Sequence, residues 1–274
     1  MKVIPAGRWN GKNLATRNFD RVTLAEIVYP PNYKIARHAH ESSLFYLVQA
    51  GSFTQYYGNK VREGKPANLI YLRADEAHAD TFHRAGARSF VIEIENNLLR
   101  LATQESKALG TSATFAGGLP TWFATRMYSE YLEIDQFSPL AIEGLVLELI
   151  AECARVSLRN KTGRPPRWLE QTRELIHASA FEQISLKGIS KIVDVHPTHL
   201  ARTFRQHYGF TIGNYLRRLR VEAASNELIS TETPLAQIAA NAGFYDQSHF
   251  SRIFKRFTKL TPSEYRARSR RRTR

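Results

Sequence analysis

Leu200-Ala-Arg-Thr-Phe-Arg-Gln-His-Tyr-Gly-Phe-Thr211 and Phe250-Ser-Arg-Ile-Phe-Lys-Arg-Phe-Thr-Lys-Leu-Thr261 are two versions of one pattern, fifty residues apart. At that offset Arg202 falls on Arg252, Phe204 on Phe254, Arg205 on Lys255, Thr211 on Thr261 and Tyr215 on Tyr265. Upstream the register slips by one, so that Ser185-Leu186 aligns with Pro234-Leu235, Ile189 with Ile238 and Val193 with Ala242. The slip falls in the turn between two helices, where an added residue costs least. The second copy carries the fuller helix-turn-helix grammar: Ala239 is small where two helices cross, Gly243 suits a left-handed turn, and Phe244 can pack back into a core. In the first copy Ser190 and Asp194 stand at the positions of Ala239 and Gly243, and aspartate tolerates the left-handed conformation only at some cost. A duplicated unit with basic residues on the same face of each copy fits a long, regular, negatively charged partner, which points to duplex DNA.

Charge agrees. The 274 residues carry 39 Lys and Arg against 25 Asp and Glu, a formal charge of +14. Of these, 19 basic and 9 acidic residues lie from Pro165 onward, which makes the C-terminal segment the polyanion-binding part. The length suits about two domains. No apolar run of signal-peptide length follows the first residues, and the most apolar stretch, Leu140 to Ala154, is interrupted by Glu143, Glu148 and Glu152. The expected location is therefore the cytoplasm, with no membrane partner. The single cysteine, Cys153, has no internal partner and reads as a small buried side chain.

Residues 20 to 95 read as short strands, Val22–Tyr29, Leu44–Val48, Ser52–Tyr57, Asn68–Leu72 and Ser89–Glu95, separated by turn signals such as Pro30-Pro31-Asn32, Gln49-Ala50-Gly51 and Ala85-Gly86. This spacing predicts an antiparallel sandwich or small barrel. After Asn97 the period becomes helical, over Leu98–Leu109, Pro120–Leu132 and Pro139–Leu158. In the last of these Ile142, Leu145, Val146, Leu149 and Ile150 form a stripe that either packs within its own domain or makes a homodimer seam. Arg159 to Arg167 combines charge, glycine and a proline pair and reads as a linker. The expected organisation is a sensing and dimerising domain over 1–160, a linker over 161–167 and a DNA-binding domain over 168–274. That last domain is all-α, with Ser185 as a helix cap, Pro197 at a first helical position, Thr233-Pro234 as a cap plus first-position proline, and Thr261-Pro262-Ser263-Glu264 as a capping box. The tail Arg266–Arg274 reads as a frayed, solvated basic end.

The run Ala242-Gly-Phe-Tyr-Asp-Gln-Ser-His-Phe-Ser-Arg252, together with Thr261-Pro-Ser-Glu-Tyr-Arg266 and the whole double motif, resembles the C-terminal domain of the AraC/XylS family of transcription regulators. The resemblance implies two helix-turn-helix units, joined by one long helix, that insert recognition helices into successive major grooves. It places Thr198, Ala201 and Arg202 at base-facing positions of the first recognition helix, and Gln247, Ser248, His249 and Arg252 at those of the second. Arg205 and Lys255 extend the same faces. Arginine can grip guanine in two places, glutamine can do so for adenine, and Thr or Ala methyls suit thymine. The competing role for Arg202 and Arg252 is phosphate contact. His199 reads as a packing residue, and Phe204, Phe254, Tyr215 and Tyr265 as core.

In the first half, Arg37-His-Ala-His-Glu41 followed by Leu44-Phe-Tyr-Leu-Val48 resembles the first strand motif of cupins, and Leu72-Arg-Ala-Asp-Glu-Ala-His78 the second. Such a barrel is the usual sensory domain of this regulator family, so His38, His40, Tyr46 and His78 are candidates for ligand binding. Metal-binding cupins add a glutamate, but here that position falls near Leu44 or Phe45, and Glu41 lies in a different strand phase. Three histidines can hold zinc or iron. Without a fourth ligand, the competing reading is a barrel whose histidines bond to the backbone or to an organic ligand. Tyr46, Tyr56, Tyr71 and Phe82 either line a pocket or fill the barrel.

The expected fold is thus α+β in two domains, a cupin-like antiparallel β-barrel with helices and an all-α domain with two helix-turn-helix motifs. The expected function is sequence-specific transcription regulation, without catalysis and without a cofactor. Promoter DNA, RNA polymerase, a small-molecule effector and a second copy of the chain are its partners. The alternative is a metal-dependent cupin enzyme fused to a DNA-binding domain.

Overall fold

A computed structural model describes residues 1–66, 68–103, 109–162 and 165–271. The chain divides into two compact units, Met1–Ser157 with Ala267–Arg274, and Leu158–Arg266.

The described strands of the first unit form one nine-stranded sheet: β1 (Lys2–Ile4), β2 (Lys12–Phe19), β3 (Val22–Tyr29), β4 (Lys34–His40), β5 (Ser43–Tyr57), β6 (Lys60–Gly64), β7 (Asn68–Leu72), β8 (His78–Ile94) and β9 (Ala113–Ala116). Two long strands organise it. The first part of β5 pairs with the last part of β8 and with β7, while its second part pairs with the start of β8 and with β6. Likewise β8 pairs with β4 at one end and with β3 at the other. The sheet therefore folds back on itself into a barrel-like shell with a bend at Gly51 and Gly86, whose φ values are +70° and +64°. A Cβ at Gly51 would strike the Gly86 carbonyl, and one at Gly86 the Tyr29 carbonyl, so both corners need glycine. The expected strands Leu44–Val48 and Ser52–Tyr57 are one strand, because Gly51 bends the chain without ending its pairing. The sheet is not wholly antiparallel, since β1 runs parallel to β4.

The barrel core is apolar, with Ile27, Leu44, Val48, Ile70 and Val91 fully enclosed. Helix α1 (Asn96–Thr103) is followed by residues 104–108, which lie outside those described, and Leu109, the expected last helical residue, instead turns at φ 57°. Helix α2 (Gly118–Leu132) lies on the sheet through Tyr128 and Tyr131, whose rings meet Phe90 at 5.0 and 5.2 Å. Their hydroxyls donate to Glu26 and to the Ala15 carbonyl, both at 2.8 Å. Glu26 also pairs with Arg88 at 2.7 Å, so the buried charge is matched. In α3 (Ser138–Thr162) the residues Ile142, Val146, Leu149 and Ile150 are buried, as is Cys153, and Leu145 is half-buried, so four of the five residues of that stripe pack within the chain. On other faces of α3 and in the turn before it, Phe137, Leu140 and Leu147 are exposed. The expected linker from Arg159 to Arg167 is shorter than read, because α3 runs on to Thr162 and α4 begins at Arg167, and the units divide between Ser157 and Leu158; residues 163 and 164 lie outside those described.

The second unit is helical: α4 (Arg167–Ala178), α5 (Leu186–Val193), α6 (Pro197–Tyr208), α7 (Ile212–Ser230), α8 (Leu235–Asn241), α9 (Gln247–Thr258) and the start of α10 (Pro262–Arg271). The duplication read from sequence recurs as geometry. Phe204 meets Tyr215 edge-on at 5.4 Å and 84°, and Phe254 meets Tyr265 at 5.2 Å and 87°. Thr211 and Thr261 each cap the following helix, accepting from Asn214 and Glu264 amides at 3.3 Å. Glu264 returns a bond from the Thr261 amide at 2.8 Å, closing the capping box. Two expectations change. Pro234 is itself the cap residue of α8 rather than its first helical residue, and Thr233 instead offers its carbonyl to Arg266 at 2.6 Å. The tail is also not frayed up to Arg271, because α10 continues through it; residues 272–274 lie outside those described.

Glu222, on α7, is buried, and its Oε2 finds no hydrogen-bond partner among the described residues. Burial raises its pKa to about 8, only partly offset by Arg218. The folded value lies above the unfolded one, so stability falls as pH rises from about 4.5 towards 8. Glu222→Gln should therefore stabilise the protein by about 3 kcal/mol at pH 7, with a gain that vanishes near pH 4.5. Urea unfolding at pH 5 and pH 8 measures this, and a gain independent of pH would reject the assignment.

Candidate nucleic-acid interface and ligand pocket

Each helix-turn-helix presents its second helix with one polar face outward. On α6, Thr198, Arg202 and Arg205 are exposed and Ala201 is half-buried; the spacing of three and four residues puts them on one face. On α9, Gln247, Ser248, Arg252 and Lys255 are exposed along the equivalent face. His249 is half-buried and leans on Phe244, ring centroids 5.8 Å apart, so it faces its own turn as well as the outer surface. Both helices are capped at their leading ends. His196 accepts from the Thr198 amide at 3.4 Å and Asp246 from the His249 amide at 2.6 Å. His199, read as a packing residue, is exposed, with its ring 5.6 Å from that of Trp168.

The turns locate the one-residue slip. Asp194 and Gly243 are equivalent left-handed residues, at φ 52° and 75°. The next residues, Val195 and Phe244, both reach back to the same carbonyl position, Ser190 at 3.1 Å and Ala239 at 2.9 Å. In the first copy the helix cap follows at once as His196, whereas in the second Tyr245 intervenes before Asp246. The inserted residue is thus Tyr245, an aromatic side chain 88% exposed beside the leading end of α9. It escaped the sequence reading, although a second aromatic residue directly after Phe244, with no counterpart in the first copy, is a visible signal.

In the barrel, strand alternation gathers the predicted residues. His38 and His40 point inward from β4, and His78 stands directly across from His38 on β8. One ring nitrogen from each of the three lies within 4.8 Å of the others. His38 and His40, with Tyr46, Gln55, Asp80 and Phe82, line a cavity of about 340 Å³, open mouth included, and His78 lies off its lining. Tyr46 approaches His40 at 3.4 Å. Tyr71 instead donates to the Leu109 carbonyl, and Tyr56 is exposed, so neither lines the cavity. Glu41 is exposed, and Leu44 and Phe45 are fully buried, so the glutamate position of metal-binding cupins is apolar here.

Burial, reinforced by the neighbouring histidines, lowers His40 to about 3; burial lowers His78 to about 4 and lowers His38 as well. All three are neutral at pH 7. Asp80, which the sequence reading passed over, is buried beside them. Its carboxylate is raised to about 6 by burial and held by the Gln55 amide at 2.7 Å. Arg62 in turn donates from Nε to the Gln55 oxygen at 2.7 Å, which fixes the Gln55 amide with its nitrogen toward Asp80.

Comparison with known proteins matches both halves. Residues 189–268 match the helix-turn-helix domain family, and residues 23–150 match the AraC-like ligand binding domain family. The chain belongs to the AraC family of DNA-binding transcriptional regulators. It is 26% identical to the transcriptional activator RhaR of Enterobacter sp. (strain 638), over 88% of this chain and 90% of that protein. It is 31% identical to the arabinose operon regulatory protein of Escherichia coli, over 51% of this chain and 45% of that one. It is 30% identical to AdaA of Bacillus subtilis, a bifunctional transcriptional activator and DNA repair enzyme, over 42% of this chain and 54% of that protein. The chain thus spans about half the length of the last two and nine-tenths of the first. Among the described residues, no helix is long and apolar enough to cross a membrane.

Proposed function

We propose that this AraC-family regulator acts in the cytoplasm as a one-component switch with no reaction of its own. The helical unit, Leu158–Arg266, reads promoter DNA, and the barrel unit binds an effector and a second copy of the chain. The observation that carries the reading is the twin exposed face: Thr198, Ala201, Arg202 and Arg205 on α6 against Gln247, Ser248, His249, Arg252 and Lys255 on α9. Two basic helical faces on equivalent, separately capped helices suit two successive major grooves. The exposed Leu140 and Leu147 of α3, seven residues apart, suit a helix–helix seam with the second copy. RNA polymerase is the partner through which bound regulator acts on transcription. An effector in the cavity changes DNA binding only through different affinities for DNA-competent and incompetent arrangements.

Selection of binding sites from random duplex DNA by the full-length protein tests the reading. A bipartite motif with two clusters about ten base pairs apart is expected, with affinity falling steeply as salt rises. Recovery of no motif at low salt would refute it.

A further inference from the structure

The second reader carries no cation along its leading half. From Leu235 to Ser251, across α8, the turn and the first part of α9, there is no Lys or Arg. The first reader differs, because its α5 bears Lys187 and Lys191, both exposed. In a helix-turn-helix the first helix crosses the sugar-phosphate backbone while the second enters the groove. The two lysines therefore stand where α5 meets phosphate, and α8 has nothing equivalent. Its polar side chains are occupied, since Gln237 donates to Asn241 at 2.8 Å and Asn241 to Glu227 at 2.9 Å. At the leading end of α9 the Asp246 carboxylate caps the helix through the His249 amide, so the charge there repels phosphate.

Tyr245 stands in that gap. A residue just before a helix cap ordinarily packs on the fourth helical residue. In the first copy Val195 is half-buried ahead of the cap His196, and Leu200, four places into α6, is fully buried. In the second copy Phe244 does this work from one place further back, its ring 5.1 Å from that of Phe250. Tyr245 is thereby released from packing. It is exposed, with no hydrogen bond or ring contact among the described residues.

Its position and chemistry suit the DNA backbone. The turn leads from α8, which crosses the backbone, to α9, which enters the groove, and so places its last residue at the groove rim. A phenol hydroxyl donates without bringing charge, and tyrosine is among the side chains that bond phosphate oxygens. With only two side-chain torsions it loses little entropy when held.

We infer that Tyr245 is the backbone anchor of the second reader, its hydroxyl donating to a phosphate oxygen at the rim of the groove that α9 enters. This rests on the DNA-reading function proposed above and adds a positioning residue that acts on one reader alone.

The test uses the full-length protein and duplexes bearing the selected motif, either intact or with one phosphate at a time replaced by an uncharged methylphosphonate. Tyr245→Phe should weaken binding to the intact duplex roughly three- to tenfold. The motif, the urea midpoint and the slope of affinity against salt should stay as in wild type, because an uncharged side chain releases no counterion. One methylphosphonate position should weaken wild type by a similar factor and Tyr245→Phe hardly at all, the signature of a direct pair. Equal losses for both proteins at every methylphosphonate would overturn the inference. An altered motif would make Tyr245 a base reader, and a lowered urea midpoint would make it a packing residue; either result overturns it too. Protein that selects a motif and keeps full affinity as Tyr245→Phe sinks this inference and leaves the regulator standing. Protein that selects no motif sinks both.

Discussion

Gly243→Ala is expected to disable the second helix-turn-helix, destabilising the helical unit by roughly 3 kcal/mol or more. The residue sits at φ +75°, where an L side chain is strained, and an added Cβ would meet the Phe181 carbonyl oxygen at 2.7 Å and its Cα at 2.8 Å. Both obstacles are backbone, so no rotamer change relieves them. The other left-handed positions predict the opposite sign. Asp194 (φ 52°) is the counterpart of Gly243, while Lys259 (φ 69°) ends α9 at the position where Gly209 (φ 79°) ends α6. Each copy therefore has glycine at one of its two left-handed residues and a side chain at the other. Asp194→Gly and Lys259→Gly should each stabilise by about 0.5–1 kcal/mol. Urea midpoints of the three variants decide it, and a Gly243→Ala protein as stable as wild type would contradict the packing described at Phe181.

Arg252→Ala should cost about 1–3 kcal/mol in binding to the selected DNA and relax preference at one cluster of base pairs. Arg202→Ala should do the same at a cluster about ten base pairs away. The two arginines are exposed at equivalent places on α9 and α6, with helix caps that fix the leading turns. A phosphate contact would behave differently, weakening all sequences alike and flattening the salt dependence. Site selection repeated with each variant separates the cases. If both retain the wild-type motif at every position, neither arginine reads a base.

The helical half was legible because its signals are local. Ser185, Pro197, Thr211 and the Thr261 to Glu264 box act within four residues of themselves, and the apolar repeat places Phe204 and Phe254 in the core. The exception, Thr233-Pro234, is a place where two cap positions one residue apart have the same local sequence. In the barrel, β3 and β7 run as expected, being continuous apolar strands. Strand β4 does not show in the alternation, only in the cupin resemblance, because its inward positions are His38 and His40 and polar residues occupy the buried phase. Strands β5 and β8 were read as fragments because a glycine that bends a paired strand looks like one that ends it. Asp80 was missed for a related reason: its neighbour Gln55 is twenty-five residues away and is brought opposite by strand register, which no local pattern encodes.

Two unlike copies of a reader within one chain leave the DNA-binding unit with no twofold axis. One copy turns on Asp194 and the other on Gly243, with Tyr245 added to the second alone. A bound protomer consequently has a direction on the duplex, and its recognition element is expected to be a non-palindromic arrow. Inverting that element beside a promoter would turn the ligand-binding half to face the other way along the DNA, so orientation itself becomes part of the regulatory instruction.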